Sequence, residues 1–272
     1  MIDTGHGSPI VLIPGVQGRW EWMWPTVRAL SATHRVLSFS LTEVGTGVPT
    51  PEAFFPLCES YIDGLLNRAG LRAAAFVGVS FGGIIATRYA ARRPERVTTL
   101  VLVSAPSPTW PLEPQRLEYL RRPLLSAPSF AVESLGRLMP EVVASQPTWL
   151  TRLRFLVSHA TRVLRYPASP RLMAAWIKAW QATRSEIECG RITAPTLLIT
   201  GESGLDRVVP QPSTLEYLTL IPGARNVVLP RTGHVGLVTA PRLFAQIVGQ
   251  FMDETRNKSQ VASGKSQVAS RK

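Results

Sequence analysis

Residues Ala73 to Gly83 read Ala-Ala-Ala-Phe-Val-Gly-Val-Ser-Phe-Gly-Gly. An apolar run ends abruptly in Gly78-Val79-Ser80-Phe81-Gly82, and a helical pattern, Ile84 to Ala91, follows at once. Strand, Gly-x-Ser-x-Gly, helix describes a sharp turn. It forces the serine into a sparsely populated backbone conformation and lifts its hydroxyl clear of a sheet. The two glycines let neighbouring backbone approach where a Cβ would clash. The helix that begins beneath the serine directs its positive end at any oxyanion forming there.

Strands and helices alternate on both sides of this turn. Pro9–Pro14, Arg35–Leu41, Val97–Val103, Pro195–Thr200 and Ala224–Leu229 are apolar strand runs, and Glu52–Ala69 has helical periodicity stopped by Gly70. The strands lack inside/outside alternation, which predicts a mostly parallel, doubly wound α/β sheet covered on both faces. Thr214–Leu220 and Arg242–Met252 read as later helices. From Ser107 to Gly190 no strand pattern occurs, and prolines punctuate helical stretches. Leu150, Leu153, Val157, Ala160 and Leu164 fall on one stripe, as do Leu172, Trp176, Ala179 and Trp180 in the next helix. The expected organisation is an α/β core over 1–106 and 191–254, a helical cap over 107–190 inserted after a central strand, and a disordered basic tail over 255–272. That tail contains Lys-Ser-Gln-Val-Ala-Ser twice.

A chain of 272 residues with a hydrophobic fraction of 45% and 7 Trp can fill one large core. The first residues carry no basic, apolar leader pattern, and no run approaches the length of a membrane span. The expectation is a soluble, cytoplasmic protein. Cys58 and Cys189 form no metal spacing and read as two free thiols. The formal charge of +12 is concentrated in the tail and in Ser107–Arg191, where eleven Arg and Lys178 face six Glu. Neither region interleaves aromatics with glycine or carries a Cys/His finger, so nucleic acid is not the expected partner.

A serine hydroxyl becomes a nucleophile only when a base takes its proton, and the base must be oriented. Of the four histidines, His6, His34, His159 and His234, only the last two follow Ser80. His159 lies within a helical stripe and reads as packed or solvated. His234 lies in a loop, Thr232-Gly233-His234, after the last strand. Asp occurs only at 3, 63, 206 and 253, so Asp206 is the one aspartate between Ser80 and His234. Glu202 in the same loop is the alternative acid.

Gly78-Val79-Ser80-Phe81-Gly82-Gly83 resembles the nucleophile elbow of the α/β-hydrolase superfamily, in which the chain order is Ser, acid, His. Asp206-Arg207-Val208-Val209-Pro210 is similar to the family's acid loop, and His234 stands where the family carries its base. The resemblance implies an oxyanion hole from the amides of Phe81 and Val16. It departs from the family at Pro14-Gly15, where His-Gly is common. It spans Ile10–Val103 and Pro195–Met252.

The resemblance implies a serine hydrolase of carboxylic esters with Ser80, Asp206 and His234 as catalytic triad, an acyl-enzyme, no organic cofactor and no metal. Trp20, Trp22 and Trp24 are near enough in sequence to line an acyl pocket. The substrate is a small-molecule ester. The arginines of the insertion, among them Arg121, Arg122, Arg152 and Arg154, suggest an anionic or carrier-bound one. An acyltransferase with the same triad, or a low-turnover binding member of the fold, are the rival readings.

Overall fold

The computed structural model describes residues 1–45, 47–112 and 114–269. In chain order its elements are β1 (Ile2–Thr4), β2 (Pro9–Ile13), α1 (Trp24–Leu30), β3 (Arg35–Ser38), α2 (Pro51–Arg68), β4 (Ala74–Val79), α3 (Phe81–Arg92) and β5 (Val97–Val103). Four helices follow, α4 (Pro114–Arg121), α5 (Ala127–Ser145), α6 (Trp149–Arg165) and α7 (Pro170–Thr183). The chain closes with β6 (Thr196–Thr200), α8 (Gln211–Leu215), α9 (Tyr217–Leu220), β7 (Arg225–Val228), α10 (Gly236–Thr239) and α11 (Pro241–Ala269).

One seven-stranded sheet runs in the order β1-β3-β2-β4-β5-β6-β7. β1 pairs antiparallel with β3, and every other pairing is parallel. The parallel sheet expected from the apolar runs is present. Its antiparallel edge is an addition, because three residues are too few to show a period. Successive residues of β2 enter opposite layers: Val11 and Ile13 pack with α2 and α3, whereas Ile10 and Leu12 pack with Val27 of α1 and Phe244 of α11. Both faces are therefore dry, which explains the unbroken hydrophobicity of the strands.

β5 pairs directly with β6, through Val101↔Leu197 and Leu102↔Leu198. Everything between them, including α4 to α7, is an excursion from the sheet. α7 enters the core through Trp176 and Trp180, each 2% exposed. α6 does not: Leu150, Leu153, Val157 and Leu164 face solvent. The apolar stripe read from the sequence is real, but it is not the face this helix buries.

The final helix also differs from expectation. α11 continues to Ala269, through most of the stretch expected to be a disordered tail. Thr255 is buried against Thr99 of β5, so the helix is still anchored where disorder was expected to begin. No proline interrupts 242–269, and the helix extends along polar residues from that anchor. Residues 270–272 lie outside the described residues. Among the described residues no helix is long and apolar enough to cross a membrane.

Packing is tight where α3 crosses β2 and β4. A Cβ on Gly82 would overlap the carbonyls of Ile13 and Pro14. Gly136, on exposed α5, has nothing within 4 Å of that position. Gly82→Ala should therefore cost several kcal/mol, on the order of 3 or more, or prevent folding. Gly136→Ala should be neutral or stabilising by about 0.5–1 kcal/mol. Denaturant unfolding of the two variants checks both, and equal behaviour would contradict the packing described.

Candidate active site

β4 delivers Ser80 at the carboxyl edge of the sheet. Its amide donates to the Val103 carbonyl at 2.8 Å, continuing the strand ladder for one more residue. The backbone then breaks: Ser80 has φ 52° and ψ −120°, and α3 starts at the next residue. Such a conformation is costly for a residue with a Cβ and persists only where the surroundings impose it. Here the imposition comes from the ladder bond on one side and the Ser80 carbonyl accepting from Gly83 N–H at 2.8 Å on the other.

The loop after β2 passes beside this turn. A Cβ on Gly15 would lie 3.5 Å from Ser80 Cβ. Val16 and Phe81 both line the cavity in front of Ser80. Among the described residues neither backbone amide donates to a protein acceptor. Phe81 opens α3, where an N–H has no partner within the helix.

Asp206 and His234 arrive from the loops after β6 and β7. His234 Nδ1 and Asp206 Oδ2 are 3.2 Å apart, and the two side chains are 9% and 5% exposed. The other carboxylate oxygen, Oδ1, accepts from the amides of Val208 at 3.0 Å and Val209 at 2.9 Å. Burial opposes ionisation of Asp206. The charge and hydrogen bond of His234, with the two amides, outweigh it and hold the carboxyl below its usual range. A group lowered on folding contributes stability above its unfolded value, about 3.9, that is lost as pH falls through the folded value. Gly233 makes the approach possible, since a Cβ there would sit 2.9 Å from the Asp206 amide nitrogen and overlap the Leu205 carbonyl.

Ser80 and His234 line one cavity of about 210 Å³. Glu202, the alternative acid, accepts from Arg231 N–H at 2.8 Å and braces the loop instead. His159 also borders the cavity, stacked on Phe155 with ring centroids 5.8 Å apart. Burial and the nearby Arg162 charge push it below the ordinary imidazole value. Of the three tryptophans read as a pocket, only Trp22 lines the cavity, and its indole donates to the Tyr166 carbonyl at 2.9 Å. Trp20 and Trp24 contact each other edge to face at 6.1 Å. The other aromatic walls, Trp110, Tyr119, Phe130 and Trp180, come from the insertion. Among the described residues no group of three or more His, Cys, Asp or Glu converges on a metal-sized site.

One residue escaped the sequence reading. Glu141 of α5 is fully buried, and its carboxylate accepts from Val235 N–H at 2.9 Å and from the Thr239 hydroxyl at 3.0 Å. Burial raises its carboxyl above the ordinary value, against the amides of Val235 and Gly233, the Thr239 hydroxyl and the charge of His234. Gln146 donates to the Thr239 carbonyl and Arg231 to the Ala144 carbonyl, at 3.0 and 2.8 Å. The insertion thus grips the segment that carries His234. The signal was available: Leu138, Glu141 and Val142 share the i, i+3, i+4 spacing of a buried face.

The profile of the alpha/beta hydrolase family matches residues 10–247. The chain belongs to the alpha/beta hydrolase family. It is similar to the 2-hydroxymuconate semialdehyde hydrolase of Pseudomonas sp. strain CF600, at 27% identity over 93% of this chain and 89% of the relative. It is also similar to the 2-hydroxy-6-oxo-2,4-heptadienoate hydrolase of Pseudomonas putida, at 29% identity over 92% and 91%. Among solved structures, a hydrolase from Pseudomonas aeruginosa superposes with a TM-score of 0.73 at 24% identity, covering 92% of each chain. That last likeness shows the fold alone.

Glu141→Ala should leave the Val235 amide buried without an acceptor and the Thr239 hydroxyl with only the Val235 carbonyl at 3.4 Å. The expected loss is about 2–4 kcal/mol of unfolding free energy. Glu141→Gln keeps one acceptor oxygen and should lose less than half of that. Equal stability of wild type and Glu141→Ala in urea would show that the grip carries no energy.

Proposed function

We propose that this hydrolase cleaves a carboxylic ester through an acyl-enzyme. The observation that carries the reading is the buried 3.2 Å contact between His234 and Asp206 beside a serine held at φ 52°. Ser80 Oγ attacks the ester carbon while His234 takes its proton. The Val16 and Phe81 amides receive the tetrahedral oxyanion, since both residues line the cavity and neither amide has a protein acceptor among the described residues. His234 returns the proton to the leaving alcohol. Water then attacks the acyl-enzyme, loses a proton to the same imidazole, and the acid leaves as Ser80 is restored. Asp206 stays ionised and fixes the imidazole tautomer. Residues 107–190 act as a cap, supplying the aromatic walls that exclude water from the acyl group.

The cavity walls are mostly aliphatic and aromatic, with Gln17, Arg19, Ser134 and Arg137 among the polar exceptions, which favours a largely apolar small-molecule ester. Two of the four arginines considered for an anionic or carrier-bound substrate are engaged elsewhere. Arg121 pairs with Glu118 at 3.7 Å, and Arg152 donates to the carbonyls of Gln146 and Val143. A second reading follows from the relatives matched over nine-tenths of their length: hydrolysis of an oxo-dienoate or semialdehyde of the kind in their names. The two readings share the nucleophile and differ in substrate.

Steady-state turnover of p-nitrophenyl butyrate and of a 2-hydroxy-6-oxo-dienoate separates them. Ester turnover should exceed dienoate turnover in kcat/KM. Ser80→Ala should lose at least about 10⁴-fold in kcat and Asp206→Asn about 10³- to 10⁴-fold. Glu202→Gln should stay within about threefold. A larger kcat/KM for the dienoate would assign the second reading, and undiminished turnover in Ser80→Ala would remove both.

A further inference from the structure

The insertion exposes its most apolar side. Leu150, Leu153, Val157 and Leu164 of α6 lie within an arc of about 60° at 100° per residue. They are 50%, 49%, 57% and 82% exposed, and Trp149 at the start of the helix is 72% exposed. α5 repeats the arrangement with Val132, Leu135 and Val143, exposed by 73%, 56% and 44%. The opposite sides are already occupied: Phe130 and Leu138 of α5 and His159 of α6 line the catalytic cavity. The outer stripes cannot turn inward without removing those walls. A globular helix ordinarily buries such a stripe, and a contiguous exposed one marks an interaction surface.

Charge identifies what it meets. α6 contains Arg152, Arg154, Arg162 and Arg165 and no Asp or Glu. Arg154 and Arg165 are exposed and border the stripe on one edge. The chain as a whole is at +12. A helix with an aliphatic face, a terminal tryptophan and flanking arginines has the make-up of one that lies in the plane of an anionic membrane surface. A second copy fits poorly, because a two-fold contact through α6 would set its arginines against themselves.

We propose that the outer face of α5 and α6 docks on an anionic lipid bilayer, with the leucines and Trp149 in the acyl boundary and the arginines at the phosphate level. The cavity lies on the inner side of the same two helices. If the hydrolase reading above holds, the ester is then an amphipathic one drawn from that surface; docking itself does not depend on that reading.

The test is cosedimentation of the full chain with phosphatidylcholine vesicles, with and without phosphatidylglycerol. Binding should be at least about tenfold stronger with phosphatidylglycerol and should fall steeply in about 0.5 M salt. Leu153→Glu combined with Val157→Glu should lower partitioning by about tenfold or more. Both positions are exposed, so hydrolysis of a water-soluble ester by this variant should stay within about twofold. Failure to bind phosphatidylglycerol vesicles overturns the proposal. So does binding that the double variant leaves intact, which would reduce the effect to bulk charge. A concentration-dependent dimer abolished by the same variant would assign the face to a second copy instead. Absence of ester turnover in wild type would sink the ester reading while leaving the vesicle result to stand alone.

Discussion

Two charged or chargeable side chains meet at 3.2 Å where almost no water reaches them. Removing a carboxylate from water is expensive, and the cost is tolerable only when its lone pairs are filled. Asp206 fills one oxygen with the Val208 and Val209 amides and turns the other to His234. The two amides belong to Asp206's own loop and His234 to the loop after β7, so the pair fixes how the two loops meet. Gly233 is the steric condition for that meeting, as Gly82 is for the packing of the helix below Ser80. The sheet supplies the rigidity on which both loops rest.

The insertion serves the same site from above. α5 reaches down with Glu141 to the segment that carries His234, and α7 plants Trp176 and Trp180 in the core. Between these two anchors, α6 meets the body through Phe155 and the Trp22–His159 ring contact, and the turn after it through the carbonyls of Tyr166 and Pro167. This uneven attachment explains how one helical block can be fixed near the base and still leave an apolar face uncovered. Tight anchoring belongs to catalysis in the proposed mechanism; the uncovered face is the one proposed to dock on a bilayer.

The parallel sheet, the strand–serine–helix turn and the loop positions of Asp206 and His234 were legible because each has a local cause. Buried parallel strands must be apolar throughout, a sharp turn needs glycine, and a short list of aspartates leaves few candidates for the acid. The α6 stripe could be read but not placed, for the complementary reason. Periodicity reports that a helix has an apolar side, not which neighbour that side meets. The closing helix was cut short because Arg256 to Lys272 look polar and repetitive, while the burial of Thr255 against β5 is a long-range contact.

By itself, the sequence determined the layered α/β class, the serine turn and the identities of the residues able to form a relay. Those follow from near-neighbour sterics and from a short supply of histidine and aspartate. Only the tertiary structure decided that Asp206 rather than Glu202 faces the imidazole, that Glu141 ties the insertion to that loop, and that Leu150, Leu153, Val157 and Leu164 face water. Each of these depends on which distant segments are brought together, and that is a property of packing rather than of local pattern.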